Sequence, residues 1–324
     1  MATATAFYAI DMNAAQTGYG YVTAATSSHI QIAYGGYVQN YYGSGFTYNA
    51  YTVTGGTLHS TDYYGFGQKI YEIRGGNYSA VTVASYIDRG NISELFKYIF
   101  AGADSFSGSS QNDVINGYAG NDNIYGNAGD DWLNGGAGND LLDGGAGIDT
   151  VIASGSRSQY VLTKVSNGYQ LQDTLSNRDG TDTLTGIERI QFSDGKIALD
   201  IDGNAGKIYR LYEAAFDRTP DKAGLAYWIG QADAGASFTQ IASAFSGGIE
   251  FQNKYGNLGN DQFIEQLYLN ILDRAGEPGG LAYWQWQLND GLQSREQVLY
   301  GFSESHENRI GVIGAIESGI DYTT

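Results

Sequence analysis

The apolar positions of this 324-residue chain follow several successive rhythms. Over residues 1–78 they fall in short runs among Tyr, Thr and Gly, with strand-prone stretches at 29–34, 46–53 and 69–74. Glycine pairs at Gly35-Gly36, Gly55-Gly56 and Gly75-Gly76 punctuate them, as in strands joined by tight turns. From 79 to 100 the spacing becomes helical: Val83, Tyr86 and Ile87 share one face, and Leu95, Tyr98 and Ile99 another. These helices are expected to cap the segment that follows. Over 101–152 an apolar residue recurs every ninth position, at Phe106, Ile115, Ile124, Leu133, Leu142 and Val151. Residues 157–200 read as hairpins, with a type I′ turn expected at Asn167-Gly168 and a last strand after Asp194-Gly195. Beyond Asp202-Gly203 the period is helical and doubled. Ile208, Leu211, Tyr212, Ala215 and Phe216 match Ile264, Leu267, Tyr268, Ile271 and Leu272. Gly224-Leu-Ala-Tyr227-Trp228 matches Gly280-Leu-Ala-Tyr283-Trp284, and capping boxes open a further helix at Ser237 and Ser294. The Tyr-Trp pairs read as helical core.

The nine-residue stretch carries its polar residues in phase as well. Asp104, Asp113, Asp122, Asp131, Asp140 and Asp149 each stand two places before an apolar residue. Glycines open the tight turns at Gly117, Gly120, Gly126, Gly129, Gly135, Gly138, Gly144 and Gly147. Three residues then form a strand whose middle side chain points inward. Two nonapeptides make one coil, so Asp104, Asp122 and Asp140 stack on one side and Asp113, Asp131 and Asp149 on the other. Stacked strands lie about 4.8 Å apart. Like charges at that spacing repel by roughly 3 kcal/mol per pair at an effective dielectric near 20. No Lys or Arg lies in 101–156 to relieve this. A hard divalent cation would, because calcium takes six to eight carboxylate and carbonyl oxygens.

The candidate ligands are the six aspartates, their neighbours Asn121, Asp130 and Asn139, and the carbonyls of the turn glycines. About four ions are expected, at Asp104/Asp122, Asp113/Asp131, Asp122/Asp140 and Asp131/Asp149. The outer turns depart from the pattern, with Ile99, Gln111 and Ile148 where Gly, Gly and Asn or Asp recur. One buried residue per strand is a thin core, so ion binding is expected to be part of the folding free energy. Val114, Trp132 and Thr150 form an outward ladder that something covers, a flanking domain of the same chain or another protomer. Asp179 and Asp182 suit either turn chemistry or one more calcium.

The nonapeptides closely resemble those of RTX proteins, whose repeats form a calcium-filled parallel β-roll. That resemblance covers about a sixth of the chain. Residues 180–192, with Gly-Thr-Asp-Thr-Leu and Gly-Ile-Glu-Arg-Ile-x-Phe, resemble the β segment that closes such rolls. The doubled helical region is similar to an all-helical family of unknown function often joined to them, although Arg274-Ala-Gly-Glu-Pro278 departs from the Arg-Thr-Pro-Asp of the first copy. A distant likeness to phycobilisome linker domains implies a packing role. The tail, apolar and without Lys or Arg after Arg309, resembles the uncleaved signal of type I secretion substrates. The architecture implied is a β-solenoid at 101–152, flanked by a Tyr/Gly-rich β domain at 1–100. A β-hairpin closing segment at 153–203, an all-α domain at 204–310 and a tail at 311–324 follow.

Composition narrows the function. A net charge of −18 argues against nucleic acid and anionic membranes as partners. The chain has no cysteine, and neither a Sec-type start nor a membrane-spanning run is apparent. His29, His59 and His306 are scattered, and no hydrolase motif appears, so a non-enzymatic protein is expected. The implied picture is export through a type I ABC apparatus and folding outside the cell on calcium. The role expected is structural, by self-association into a homo-oligomer or adhesion at a surface or biofilm matrix. A lectin-like module using the N-terminal tyrosines, on a surface polysaccharide, is the alternative, ahead of a polysaccharide-active enzyme; a toxin is disfavoured by the lack of a pore-forming helix.

Overall fold

The computed structural model describes residues 1–8, 10, 12, 21–50 and 52–322. They fall in two compact units, Met1–Ser193 and Asp194–Thr324.

The first unit opens with β1 (Thr3–Ala6), β2 (Tyr21–Ala25), β3 (His29–Tyr34), β4 (Tyr37–Tyr48), β5 (Val53–Gly65), β6 (Gln68–Arg74) and β7 (Tyr78–Ser79). These are antiparallel neighbours in the order β2-β3-β4-β5-β6-β1, with β7 paired to β5. Gly35 and Gly36, at φ +56° and +91°, make the two-residue turn from β3 to β4. The strand expected over 46–53 is interrupted: Phe46, Thr47 and Tyr48 end β4, Val53 opens β5, and the chain turns between them. The Asn49 side chain accepts the Thr52 N–H, a local bond that competes with strand pairing. Tyr51 lies outside the described residues. The Gly55-Gly56 pair is not a turn but part of β5, beside an irregularity in the β4–β5 register.

Two helices follow, α1 (Ala80–Asp88) and α2 (Ile92–Ile99), with Ser79 and Asn91 as N-caps. Then come β8 (Ser105–Ser107), β9 (Val114–Asn116), β10 (Asn123–Ala128), β11 (Trp132–Asn134), β12 (Leu141–Ala146) and β13 (Thr150–Ile152). Alternate strands join different parallel ladders. β8, β10 and β12 pair as Phe106↔Ile124↔Leu142, and β9, β11 and β13 as Ile115↔Leu133↔Val151. All six apolar side chains are buried. The unit ends with β14 (Tyr160–Val165), β15 (Gly168–Asp173), β16 (Thr181–Thr185) and β17 (Arg189–Phe192). Strand β16 extends the first ladder and β17 the second. The β14–β15 hairpin forms, but its loop is Ser166-Asn167, and the positive φ (+129°) falls on Gly168. The turn is therefore not type I′, which needs positive φ at both central residues.

The open edge of the first rung is covered differently from expectation. Strand β1 pairs in parallel with β8, Ala4 opposite Phe106. Ile10 and Met12 bond the main chain of Val114 on the other ladder. Residues 2–6, with Ile10 and Met12, thus act as one more rung, Ala2 standing 102 positions ahead of the partner it meets. A helix could not do this, because its main-chain groups bond within itself, whereas an exposed strand edge needs N–H and C=O partners. The helices instead contribute Phe100, fully buried 4.8 Å from the Phe106 ring.

The second unit contains β18 (Gly195–Ala198), so the segment expected over 153–203 is divided between units. Its helices are α3 (Asn204–Phe216), α4 (Lys222–Asp233), α5 (Phe238–Ser246), α6 (Ile249–Tyr255), α7 (Asn260–Leu272), α8 (Pro278–Asn289), α9 (Arg295–Ser303) and α10 (His306–Ile316). Strand β19 (Ile320–Tyr322) closes it, antiparallel to β18. The tail is thus folded into this unit, with Ile316, Ile320 and Tyr322 buried; Thr323 and Thr324 lie outside the described residues. The two copies repeat in detail. Asp217 and Asp273 end α3 and α7 in the left-handed conformation, and Arg218 and Arg274 lie 5.1 and 5.2 Å from the rings of Tyr212 and Tyr268. Ser237 and Ser294 form the capping boxes. The Tyr-Trp pairs are only half core. Trp228 and Trp284 pack on Phe245 and Phe302, but Tyr227 and Tyr283 are exposed, because adjacent helix positions point about 100° apart.

Removing residues 1–12 should free the amides of Ser105 and Val114, which donate to Ala2 and Ile10. Hydrogen exchange read by NMR should show these two losing protection while Leu141 and Thr150 keep theirs. Unchanged protection of Ser105 and Val114 would refute the extra rung.

Candidate metal centre

Every repeat aspartate holds its neighbour in the stack. The N–H of Asp104 donates to Oδ1 of Asp122 at 2.7 Å, and that of Asp122 to Asp140 at 2.8 Å. On the other side, Asp113 donates to Asp131 at 2.7 Å and Asp131 to Asp149 at 2.8 Å. The second oxygen behaves otherwise. Oδ2 of Asp104, Asp122, Asp131, Asp140 and Asp149 is buried without any hydrogen-bond partner. A buried acceptor left unpaired costs about 1–3 kcal/mol, and more when charged. Five such atoms in register are a donor set waiting for a cation.

Asp113 departs from this. Its Oδ2 accepts from the Ser109 N–H at 2.6 Å and the Ser109 hydroxyl at 2.9 Å. Ser109 stands where later repeats have Gly136 and Gly145, so the Asp113/Asp131 position already has a local partner for one oxygen.

The glycines bring main-chain oxygens to the same places. A Cβ on Gly126 would lie against Asp131 Oδ2 and 2.6 Å from the Gly144 carbonyl oxygen. A Cβ on Gly117 would meet Asp122 Oδ2 at 2.6 Å together with the Gly135 carbonyl. Carboxylate and carbonyl oxygens therefore converge where a side chain would otherwise sit. Gly120, Gly129, Gly138 and Gly147 adopt φ between +117° and +154° and face the carbonyl or main chain of the preceding rung. Gly135 faces Asp140 Oδ2, and Gly144 faces Asp149 Oδ2 at 2.5 Å.

The residues before the aspartates do different work. Asn121 and Asp130 accept the N–H of Asn139 and Ile148, one rung later, at 2.9 and 2.8 Å, and Asn139 accepts that of Thr181 at 2.8 Å. Their Oδ1 atoms fix the turns. Among the described residues no three His, Cys, Asp or Glu side chains group around one point. A cation here draws on two carboxylates and surrounding carbonyls, an all-oxygen set that suits calcium and not zinc.

The electrostatics agree. Burial pushes the carboxyls of Asp122 and Asp149 up to about 7, and those of Asp131 and Asp140 up to about 6. The main-chain N–H bonds oppose this shift and neighbouring carboxylates add to it. Asp104 is also raised, chiefly by burial.

Two members of the ladder lie outside the nine-residue period: Asp182, a candidate in the sequence only beside Asp179, and Glu188, which the sequence did not single out. Asp182 accepts the Asp140 N–H at 3.0 Å, and Glu188 accepts the Asp149 N–H at 2.9 Å. The intervals, 42 and 39 residues, break the repeat. The usable signal was the acid-x-apolar triplet, Asp182-x-Leu184 and Glu188-x-Ile190. Asp179, the other expected candidate, instead accepts from the Ser154 N–H and the Tyr160 hydroxyl. In the outward ladder Trp132 lies between Val114 and Thr150; it is 44% exposed, whereas Thr150 is buried.

Against this geometry, the model of the RTX calcium-binding nonapeptide repeat matches residues 98–131 and 117–151. That of the domain of unknown function DUF4214 matches 204–253 and 242–310. The chain therefore carries RTX calcium-binding repeats followed by a DUF4214 region. No curated protein matches it. Among solved structures, the extracellular lipase LipA from Serratia marcescens matches at 22% identity and a TM-score of 0.28, over 30% of this chain and 17% of that one. So short a match carries no argument about activity.

These shifts give calcium-free protein a defined pH response. A carboxyl raised in the fold contributes stability that is complete below about pH 4 and is lost as pH climbs through its folded value, here about 6 to 7. In chelator, the thermal midpoint of the ladder should fall between pH 5 and pH 8. Calcium, which needs the ionised form, should reverse that slope. A chelated midpoint that rises with pH over this range would contradict the assignment.

Proposed function

We propose that this is a secreted RTX protein whose stacked ladders form a calcium β-roll. The roll folds when the chain meets extracellular calcium and serves a structural, self-associating role at a cell surface or matrix. The observation that carries the reading is the register of unpartnered Oδ2 atoms. About four ions are expected: Asp104/Asp122, Asp122/Asp140 and Asp131/Asp149 follow that register, and Asp113/Asp131 is a fourth position where Ser109 already bonds one oxygen of Asp113. Calcium, when bound, supplies positive charge to carboxylates that otherwise repel one another. The residues do the rest: each Oδ1 fixes the next rung, and each glycine leaves room for a carbonyl. Export as an unfolded chain by a type I apparatus suits a fold this dependent on calcium, which is scarce in cytosol. The reading is non-enzymatic.

Two surface features support self-association. Trp132 presents its ring beside Val114 on an outer strand face. Residues 12–61 carry no Asp, Glu, Lys or Arg, in a chain of net charge −18. Copies of an acidic protein approach most easily where neither carries charge. Strand β2 within this region ends its sheet, with Tyr21 and Val22 exposed.

A second reading, glycan binding, rests on a cavity of about 270 Å³ lined by Tyr42, Ser60, Thr61, Asp62, Glu72 and Arg74. Aromatic, carboxylate and guanidinium groups together suit a polyhydroxylated ligand.

Light scattering with circular dichroism, during calcium titration of chelator-treated protein, separates these readings. The expected result is a gain of β signal with growth in size, and Trp132→Ser should stop the growth while keeping the β signal. Absence of any calcium response at millimolar concentration would overturn the calcium reading. A β gain in a monomer would remove self-association, and a glycan-array signal lost in Tyr42→Ala would then favour the second reading.

A further inference from the structure

The nonapeptide pattern stops at residue 151, but the ladder does not. Strand β16 lies on β12 with Leu184 opposite Leu142, and β17 lies on β13 with Ile190 opposite Val151. Leu184 and Ile190 are fully buried and continue the two apolar columns. The carboxylates continue with them. Asp182 stands to Asp140 as Asp140 stands to Asp122, and Glu188 stands to Asp149 as Asp149 stands to Asp131.

The glycines are matched too. Gly180 faces the Gly138 carbonyl as Gly138 faces that of Gly120. The Gly186 carbonyl lies against Gly144 beside Asp149 Oδ2, as the Gly144 carbonyl lies against Gly126 beside Asp131 Oδ2. The Thr181 N–H donates to Asn139 as the Asn139 N–H does to Asn121. A segment without the repeat's sequence therefore rebuilds its oxygen framework. Hydrogen bonding alone leaves part of that framework unexplained. Asp140 and Asp149, 3% and 0% exposed, each keep an unpartnered Oδ2 on this last rung.

We propose that two further calcium ions bind beyond the nonapeptides, one between Asp140 and Asp182 and one between Asp149 and Glu188. The proposal rests on the calcium reading above and extends it to residues outside the repeat. Each ion bridges the last nonapeptide turn to the segment after it, so calcium holds β16 and β17 onto the ladder. The Glu188 site carries one more methylene, hence a looser carboxylate, and takes its ion with lower affinity than the Asp182 site.

Native mass spectrometry of the full chain at saturating calcium tests this by counting ions. Asp182→Asn and Glu188→Gln each retain an oxygen to accept the same main-chain N–H. Each variant should hold one ion fewer than the unaltered chain, and the double variant two fewer. An equal count in the unaltered chain and the double variant would overturn the two sites while leaving the repeat sites standing. An unaltered chain that binds no calcium would overturn the repeat sites as well. If the variants do not fold, crystals of the unaltered chain grown in calcium decide. Ion density between Asp140 and Asp182 and between Asp149 and Glu188 supports the proposal, and ions confined to the nonapeptides refute it.

Discussion

Carboxylates buried in register, all but that of Asp113 with one oxygen engaged and one not, are the constraint on which the first unit depends. The engaged oxygen sets the spacing of the rungs through a main-chain N–H. The other makes the arrangement costly until a cation arrives. A core of one apolar side chain per strand cannot absorb that cost, since burying a Leu or Ile contributes about 1.5–3 kcal/mol. Structure and metal are therefore linked: the oxygens that define the fold also define the site. The glycines serve both, because any side chain at Gly126 or Gly144 would fill the space where oxygens converge.

What the sequence revealed depended on periodicity. The nine-residue phase of aspartates and apolar residues placed the strands, the buried column and the stacking partners of Asp122 and Asp131. Helical spacing and the doubled motifs likewise placed α3 and α7. Elements without a repeat were hidden. Nothing in Ala2 or Ile10 resembles an aspartate turn, so their stacking on Asp104 and Asp113 had no signal beyond a short alternation of Ala and Thr. Asp182 and Glu188 sit behind a hairpin that lengthens the interval, and only their acid-x-apolar triplets survived. At Asn167-Gly168 the dipeptide suggested one turn, but strand register set the loop one residue earlier. Register is a property of both strands and is not visible in two residues.

The second unit relies on different physics. Its two copies each place an arginine over a buried tyrosine ring and pair it with a glutamate from another helix, Arg218 with Glu250 and Arg274 with Glu307. These ion pairs are exposed to solvent, so each contributes little to stability, and their value lies in orienting the turn after each helix. The strand at the end of the chain belongs to this packing, with Ile320 and Tyr322 in its core. Any address read from the tail must therefore be read before the helices assemble.

The rung formed by residues 2–6, Ile10 and Met12 gives the series of carboxylate clasps a direction and an end. Along each ladder a carboxylate clasps the amide of the rung before it, and the series runs until it meets Ala2 and Ile10. Ala2 and Ile10 offer amides to Asp104 and Asp113 but carry no carboxylate of their own to pass the clasp on. The N-terminal rung thus works as a terminator. It covers the edge of β8, and β6 covers its own other edge, so the parallel ladder gives way at this rung to an antiparallel sheet.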